Sequence, residues 1–267
     1  MEAIFPFKPL DRFRNYNKDK DLYFQIAELA VKSAKLFYKT RLITDTEGKE
    51  IFEERGIHFD TVEILDSIDN YTGNNIAFPK LYAMQTRKYP YIMLDFDSIL
   101  HKPVPITKGT VYGHPEFDFT KALPGVDIMK YLYTTYIKDY YEKIEGKSST
   151  VDSSLEWFEF PSMSLFHTDV PNLVSDCIFT LIKDYGVDTL EITSPQLIEQ
   201  FLLFNLFNSS NFRIIPLQET PGDDIKDENT YYTHLNSAVR EKYRYVLPYL
   251  DFQIKSKYDE YMLKRLI

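Results

Sequence analysis

The stretch YIMLDFDSIL, residues 91–100, decides the expected fold of this chain. Four apolar or aromatic residues run without interruption into Asp95, and a second aspartate follows at Asp97. Such a run is typical of a parallel strand that is buried on both faces. Alternate side chains of a strand share a face, so Asp95 and Asp97 are expected to point into the crevice beyond the strand, with Phe96 pointing away. Two carboxylates about 7 Å apart suit a divalent cation that carries a diphosphate. The alternative is that they only cap the next helix or face solvent.

The segments before this stretch alternate between strands and helices. Strands are predicted at residues 3–7, 41–45 and 61–64, and helices at 21–38, 46–55 and 79–89. Asp45 is placed to cap the second helix, which Gly56 ends. This alternation indicates βαβ units and a mostly parallel sheet, in which residues 91–100 form roughly the third or fourth strand along the chain.

The remainder of the chain is less regular. Strands are predicted near residues 110–114, 161–166, 212–216 and 231–235, and helices at 126–144, 171–185 and 194–207 and after the strand at 231–235 to residue 267. The expected fold class is therefore α/β, a Rossmann-like αβα sandwich with a mostly parallel central sheet and a helical C-terminal part. We predict a single domain over residues 1–267, with a nucleotide-binding half at about 1–104 and an acceptor half at about 105–267.

Composition restricts the class of protein further. The net charge of −9 disfavours a partner such as nucleic acid, whose binders are normally basic. The single cysteine, Cys177, excludes an intrachain disulfide. The first residues lack the pattern of a secretory signal, and no run approaches the length of a membrane span. The sequence thus predicts a cytoplasmic protein without a membrane span.

Three motifs resemble the glycosyltransferases of GT-A fold. They are RLITD at residues 41–45, FPKLYA at residues 78–83 and the aspartate motif LDFDSIL at residues 94–100. In those enzymes an N-terminal nucleotide-binding αβα sandwich carries an Asp-x-Asp that holds Mn²⁺ or Mg²⁺. The spacing from the basic residue to the Asp-x-Asp is most similar to the retaining family-8-type enzymes and a related, little-characterised bacterial group.

The resemblance implies transfer of a sugar from a nucleoside-diphosphate sugar, with a UDP-sugar as the expected donor, to a glycan, a lipid-linked glycan or a protein. It assigns direct metal coordination to Asp97, and gives Asp95 either a water-mediated metal contact or a ribose hydroxyl. His234, in YTHLN at residues 232–236, is the expected third ligand. An imidazole beside carboxylates suits Mn²⁺ better than Mg²⁺. Lys80 is expected to contact the nucleotide or diphosphate, and Asp45 the base or ribose.

Two further carboxylates are candidate catalytic residues. Glu199 lies in IEQFL at residues 198–202, where a Glu-Gln pair resembles the start of an acceptor-side helix. A role of Glu199 as the catalytic base would mean an inverting transfer, whereas the family-8 resemblance favours a retaining one. Asp169 precedes Pro171 and also suits a helix cap. The family pattern His-x-x-Gly-x-x-Lys after His234 is incomplete, because Ser237 and Arg240 occupy its last two positions.

Two alternatives remain open. The motif also resembles the first motif of haloacid-dehalogenase-type phosphatases, in which Asp95 would be the nucleophile. In those enzymes, however, the motif follows the first strand near the start of the chain. The other alternative is a binding module that has kept a GT-A-like fold without catalysis. The two retained aspartates weigh against it, because adjacent carboxylates without a cation repel each other.

Overall fold

The computed structural model contains the strands and helices predicted before residue 91, and residues 91–100 form two strands with a turn between them. It describes residues 1–10, 20–73, 77–87, 91–104, 110–115, 161–162, 165–168, 213–216, 232–234, 254 and 256–257. The helices are α1 (Lys20–Lys35), α2 (Thr46–Glu54), α3 (Asp66–Asp69) and α4 (Phe78–Thr86). The strands are β1 (Glu2–Pro6), β2 (Lys39–Thr44), β3 (Thr61–Ile64), β4 (Tyr91–Leu94), β5 (Ser98–Leu100), β6 (Thr110–Pro115), β7 (Pro161–Ser162), β8 (Leu165–Thr168), β9 (Arg213–Pro216) and β10 (Tyr232–His234). From β6 to β10 only the backbone is described, with the side chain of Thr233 in addition.

The main sheet has the strand order β3-β2-β1-β4-β8. Strands β1 to β4 run parallel to one another, and β8 is antiparallel to β4. With helices between its parallel strands, this sheet confirms the α/β class. A smaller sheet pairs β5 with β10, and a third has the order β7-β6-β9.

Burial explains why β4 reads as an uninterrupted apolar run. This strand lies between β1 and β8, and all four of its residues are buried. In helix α1, by contrast, the buried residues recur at helical spacing, and they include Leu22, Ile26 and Leu29. Helix α2 begins as predicted: Asp45 is its N-cap and accepts a hydrogen bond from the N–H of Gly48 at 2.7 Å. Gly56 follows its end with a positive φ of 69°, a conformation that favours glycine.

The ends of the parallel strands are joined by charged side chains. Arg41 of β2 donates to both carboxylate oxygens of Glu2 on β1, at 3.0 and 2.7 Å, and to Glu63 on β3 at 2.9 Å. The hydrogen bonds from the Arg41 guanidinium hold the pKa of Glu2 below its ordinary value. Three neighbouring strands are thus linked by one arginine at the end of the sheet where β1 begins.

None of the helices in the described ranges is long and apolar enough to cross a membrane. The predicted division into a nucleotide-binding half and an acceptor half stays a prediction. The expected helices at residues 126–144, 171–185 and 194–207 lie outside the described residues.

Candidate functional site

Successive parallel strands extend the sheet first on one side of β1 and then on the other. From β1 it moves to β2 and β3 on one side, and it then returns to β4 on the other side of β1. In open parallel sheets, ligands bind outside the carboxyl ends of the strands at such a switch point. Asp45 follows β2, Asp95 follows β4, and Lys8 lies two residues beyond β1. Two of the predicted site residues are therefore at the edge of the sheet where α/β proteins bind ligands.

The Asp-x-Asp motif forms a turn, and the expectation that both aspartates continue the strand is wrong. Strand β4 ends at Leu94, and the N–H of Ser98 donates to the carbonyl oxygen of Asp95 at 3.1 Å. The chain turns here because β5 pairs with β10 and not with the main sheet. The alternation of faces along a strand therefore does not set the directions of the two carboxylates.

Phe96, between the two aspartates, anchors this turn in the core. Its ring stacks on Phe52 with a centroid distance of 4.9 Å and lies 5.3 Å from Phe5 and 5.7 Å from Phe7. The side chain is 6% exposed. The expectation that Phe96 points away from the crevice agrees with this packing.

Lys80 forms an ion pair with the first aspartate of the turn. Its Nζ lies 2.6 Å from Asp95 Oδ1, and the two side chains are 12% and 24% exposed. Pro79 precedes Lys80 in the first turn of α4, a position where proline is favoured. The pair keeps an ammonium group at the switch point of the sheet.

Asp45 and Lys8 form a second, more buried pair at the same edge of the sheet. Lys8 Nζ lies 3.0 Å from Asp45 Oδ2 and donates to the carbonyl oxygen of Ile68 at 2.6 Å. Asp45 is 4% exposed, and its Oδ1 accepts from Gly48. The pair connects the ends of β1 and β2 to the short helix α3.

The pairing of β5 with β10 brings the expected third metal ligand next to the turn. In this antiparallel pair, His234 is opposite Ser98 and Thr233 is opposite Ile99. Ser98 directly follows Asp97, so the backbone of His234 lies beside the Asp-x-Asp motif although 136 residues separate His234 from Ser98. The side chain of His234 is not described.

A histidine that was not selected from the sequence connects the same two strands. His101 Nε2 is 2.7 Å from the hydroxyl of Thr233, and Thr233 is fully buried. His101 directly follows β5 in the sequence. Its side chain thus extends the contact between β5 and β10 beyond the backbone pairing.

Asp97 contributes a buried oxygen to the site. Its Oδ1 is buried and lacks a hydrogen-bond partner within the part of the chain that the structure describes, and Asp97 has at least one further interaction. Asp95 pairs with Lys80, and direct coordination of a cation by Asp97 stays a prediction. Two carboxylates with an imidazole are a donor set that fits Mn²⁺.

The metal site cannot be assembled from the described side chains alone. Among them, no three His, Cys, Asp or Glu residues come close enough together to hold a metal ion. The expected set includes the imidazole of His234, which is not one of these side chains. Glu199, Asp169 and Arg240 also lie outside the described residues, so their roles stay predictions.

Lys8 and His101 were not selected from the sequence, and only Lys8 had a local signal. Carboxyl ends of parallel strands meet at one edge, so a basic residue just after β1 was positioned to meet the aspartate after β2. His101 had no comparable signal, because its partner Thr233 is 132 residues away.

A family profile matches residues 16–110, and its description is a family of unknown function (DUF6734). The match spans the elements from α1 to β5, including the Asp-x-Asp turn, and covers less than half of the chain. No curated protein matches the chain at the level of sequence.

Several solved structures are similar to the chain at low sequence identity. A glycosyltransferase involved in the glycosylation of the major capsid of PBCV-1 is 10% identical, with a TM-score of 0.41, and the match covers 91% of this chain and 98% of that one. The apo-form glycosyltransferase GlyE of Streptococcus pneumoniae TIGR4 is 9% identical, with a TM-score of 0.40 and coverage of 80% of this chain. The chain spans 44% of the length of GlyE.

A third similar structure belongs to another group of transferases. The inositol-1-phosphate CTP transferase from T. maritima is 12% identical, with a TM-score of 0.40, and the match covers 94% of this chain and 96% of that one. Because all of these TM-scores are low, support for a function has to come from the residues of the chain itself.

Proposed function

We propose that the protein is a metal-dependent glycosyltransferase that uses a nucleoside-diphosphate sugar, with a UDP-sugar as the expected donor. The observation that supports this most directly is the position of the Asp95-Phe96-Asp97 turn at the switch point of a parallel sheet, with Lys80 paired to Asp95. Departure of a nucleoside diphosphate requires positive charge at the phosphates. The site combines a ready ammonium group with carboxylates that suit a divalent cation.

Each residue of the site has a distinct role in this proposal. Asp97 and His234 would coordinate Mn²⁺ or Mg²⁺ directly, and Asp95 would bind the metal through water or hold a ribose hydroxyl. The metal would neutralise charge on the departing diphosphate. Lys80 would exchange its contact with Asp95 for one with the diphosphate, so its ammonium group would keep an anionic partner.

The nucleoside end of the donor is assigned to the region around Asp45. Both oxygens of this carboxylate already have partners, Gly48 and Lys8, so a base or ribose would share it with them. Glu199 and Asp169 remain the candidate catalytic carboxylates on the acceptor side. The acceptor would be a glycan, a lipid-linked glycan or a protein.

The phosphatase alternative is weakened by the order of the strands. The Asp-x-Asp follows β4, the fourth strand along the chain, whereas the phosphatase motif follows a first strand. Release of phosphate from a simple phosphoester, without any nucleotide sugar, would favour this alternative.

The test of the proposal is calorimetric titration of Mn²⁺ in the presence of UDP, followed by a screen of nucleotide sugars for release of UDP. Three variants accompany the wild type: Asp97→Asn, Lys80→Met and the control Asp66→Asn, which makes the same chemical change at an exposed position of α3. Asp97→Asn is expected to abolish Mn²⁺ binding and to lower activity by at least ~100-fold, since it removes the anionic ligand.

The two other variants separate the steps of binding. Lys80→Met is expected to weaken UDP binding while Mn²⁺ still binds, because the substitution removes the ammonium group and keeps every proposed metal ligand. Asp66→Asn should behave as the wild type. Binding of neither Mn²⁺ nor UDP by the wild type would favour the non-catalytic module, and full activity of Asp97→Asn would end the glycosyltransferase assignment.

A further inference from the structure

We propose that His101 and Thr233 form a positioning pair that holds His234 beside the Asp-x-Asp turn. This inference rests on the proposed function, because it concerns the metal site that His234 would complete. The pair is joined by a 2.7 Å hydrogen bond between His101 Nε2 and Thr233 Oγ1. Thr233 is fully buried, so its hydroxyl requires a hydrogen-bond partner, and the imidazole supplies one.

The register of β10 is what the pair would control. Each of the two strands is three residues long, and their backbone pairing alone provides few hydrogen bonds. A slip of one residue would turn every side chain of β10 to the opposite face and would carry His234 away from Asp97. The bond from His101 to Thr233 can form only when Thr233 is opposite Ile99, as observed.

The strand on which His101 depends is itself fixed to the N-terminal part of the chain. The buried hydroxyl of Ser33 on α1 accepts from the N–H of Leu100 at 2.9 Å. Beyond His101, the N–H of Val104 donates to the Tyr38 hydroxyl at 2.8 Å. His101 therefore lies between two anchored positions, and its hydrogen bond to Thr233 can hold β10 in place relative to them.

The contact gives His101 a role that can be tested separately from metal coordination. Its Nε2 interacts with Thr233, and in this inference the residue acts on the metal through the placement of His234. A glutamine amide can reach the position of histidine Nε2 and donate or accept a hydrogen bond there. Glutamine is thus the conservative replacement for a positioning residue, whereas leucine fills similar space without the hydrogen bond.

The test compares His101→Leu, His101→Gln and Thr233→Val with the control His58→Leu, which removes an exposed histidine before β3. Mn²⁺ affinity is measured by calorimetry in the presence of UDP, and thermal unfolding is measured without metal. Partners of this kind typically change metal affinity ~10–100-fold, so His101→Leu and Thr233→Val should each weaken Mn²⁺ binding by at least ~10-fold. His101→Gln should stay within ~3-fold of the wild type, a change smaller than that range. The double variant His101→Leu/Thr233→Val should bind Mn²⁺ no more weakly than the single variant with the lower affinity, because both substitutions remove the same hydrogen bond.

Several results would overturn the inference. An unchanged Mn²⁺ dissociation constant in His101→Leu, with a lower Tm, would show that the pair serves stability alone and would leave the proposed function standing. Equal losses in His101→Gln and His101→Leu would mean that the imidazole itself is required. If His101→Leu does not fold, Thr233→Val compared with Thr233→Ser, which keeps the hydroxyl, gives the same contrast. Failure of the wild type to bind Mn²⁺ would remove the proposed function together with this inference.

Discussion

Replacing Ser33 by alanine should weaken the attachment of β5 to α1. The Ser33 side chain is fully buried, and its hydroxyl accepts from the N–H of Leu100 at 2.9 Å and donates to the carbonyl oxygen of Ala30 at 2.7 Å. Ser33→Ala removes the acceptor. The N–H of Leu100 would then be buried without its hydrogen bond.

The size of this effect follows from two opposing contributions. An unsatisfied buried donor costs about 1–3 kcal/mol, while alanine is better than serine inside a helix by up to ~0.5 kcal/mol. We therefore expect the free energy of unfolding to fall by ~1–2 kcal/mol. For a chain of this size that corresponds to a decrease in Tm of roughly 2–8 °C.

Urea denaturation and amide hydrogen exchange measure the global and the local effect. The Leu100 amide should exchange roughly tenfold faster in Ser33→Ala, since ~1.4 kcal/mol corresponds to a factor of ten. Ser67→Ala, at a half-exposed position of α3, provides a matched control and should be as stable as the wild type. A loss of stability in Ser33→Ala no larger than in the control, with unchanged exchange at Leu100, would refute the role given to this hydroxyl.

Three further predictions concern packing, a buried hydrogen bond and a charge pair elsewhere in the fold. Gly48→Ala should destabilise the chain by about 1–3 kcal/mol in urea denaturation, because the added Cβ would clash with Thr44 Oγ1, and wild-type stability would contradict this. Tyr38→Phe should cost about 1–3 kcal/mol in the same assay, because it leaves the buried N–H of Val104 without its acceptor; no loss would contradict that role. The pKa of Glu2 is lowered by its arginine partner, so the pair stabilises the fold above the ordinary value of 4.5 and its contribution is lost as pH falls below it. The Tm difference between the wild type and Glu2→Gln should accordingly shrink below pH 4.5, and a difference that grows there would be inconsistent with the pair.

The N-terminal part of the fold was predictable because its signals are local. The apolar run at residues 91–94 predicted a strand buried on both faces, and all four residues of β4 are buried. Asp45 was recognised as a helix cap from its place before a helical segment, and it caps α2. In each case the pattern reflects contacts within a few residues or the solvent exposure of one element.

The remaining features depend on partners far along the chain. Residues 161–166 read as one strand, but β7 pairs with β6 and β8 pairs with β4, in two different sheets. The turn at the Asp-x-Asp could not be predicted either, because it depends on the pairing of β5 with β10. Pairing over more than a hundred residues is decided by tertiary packing, which leaves no periodic signal in a single strand.

The position of the carboxylates depends on the core beneath them. Phe96 is held by Phe5, Phe7 and Phe52, which come from β1, the residue after it and α2. Metal and diphosphate sites require carboxylates held in fixed positions, and a turn between two strands would not provide this by itself. Because the residue between the two aspartates is buried in an aromatic cluster, the core fixes the backbone of the turn while both carboxylates stay at its edge. The turn after β4 therefore supplies the anchor and two candidate ligands together, whereas the candidate ligand on β10 depends on long-range strand pairing.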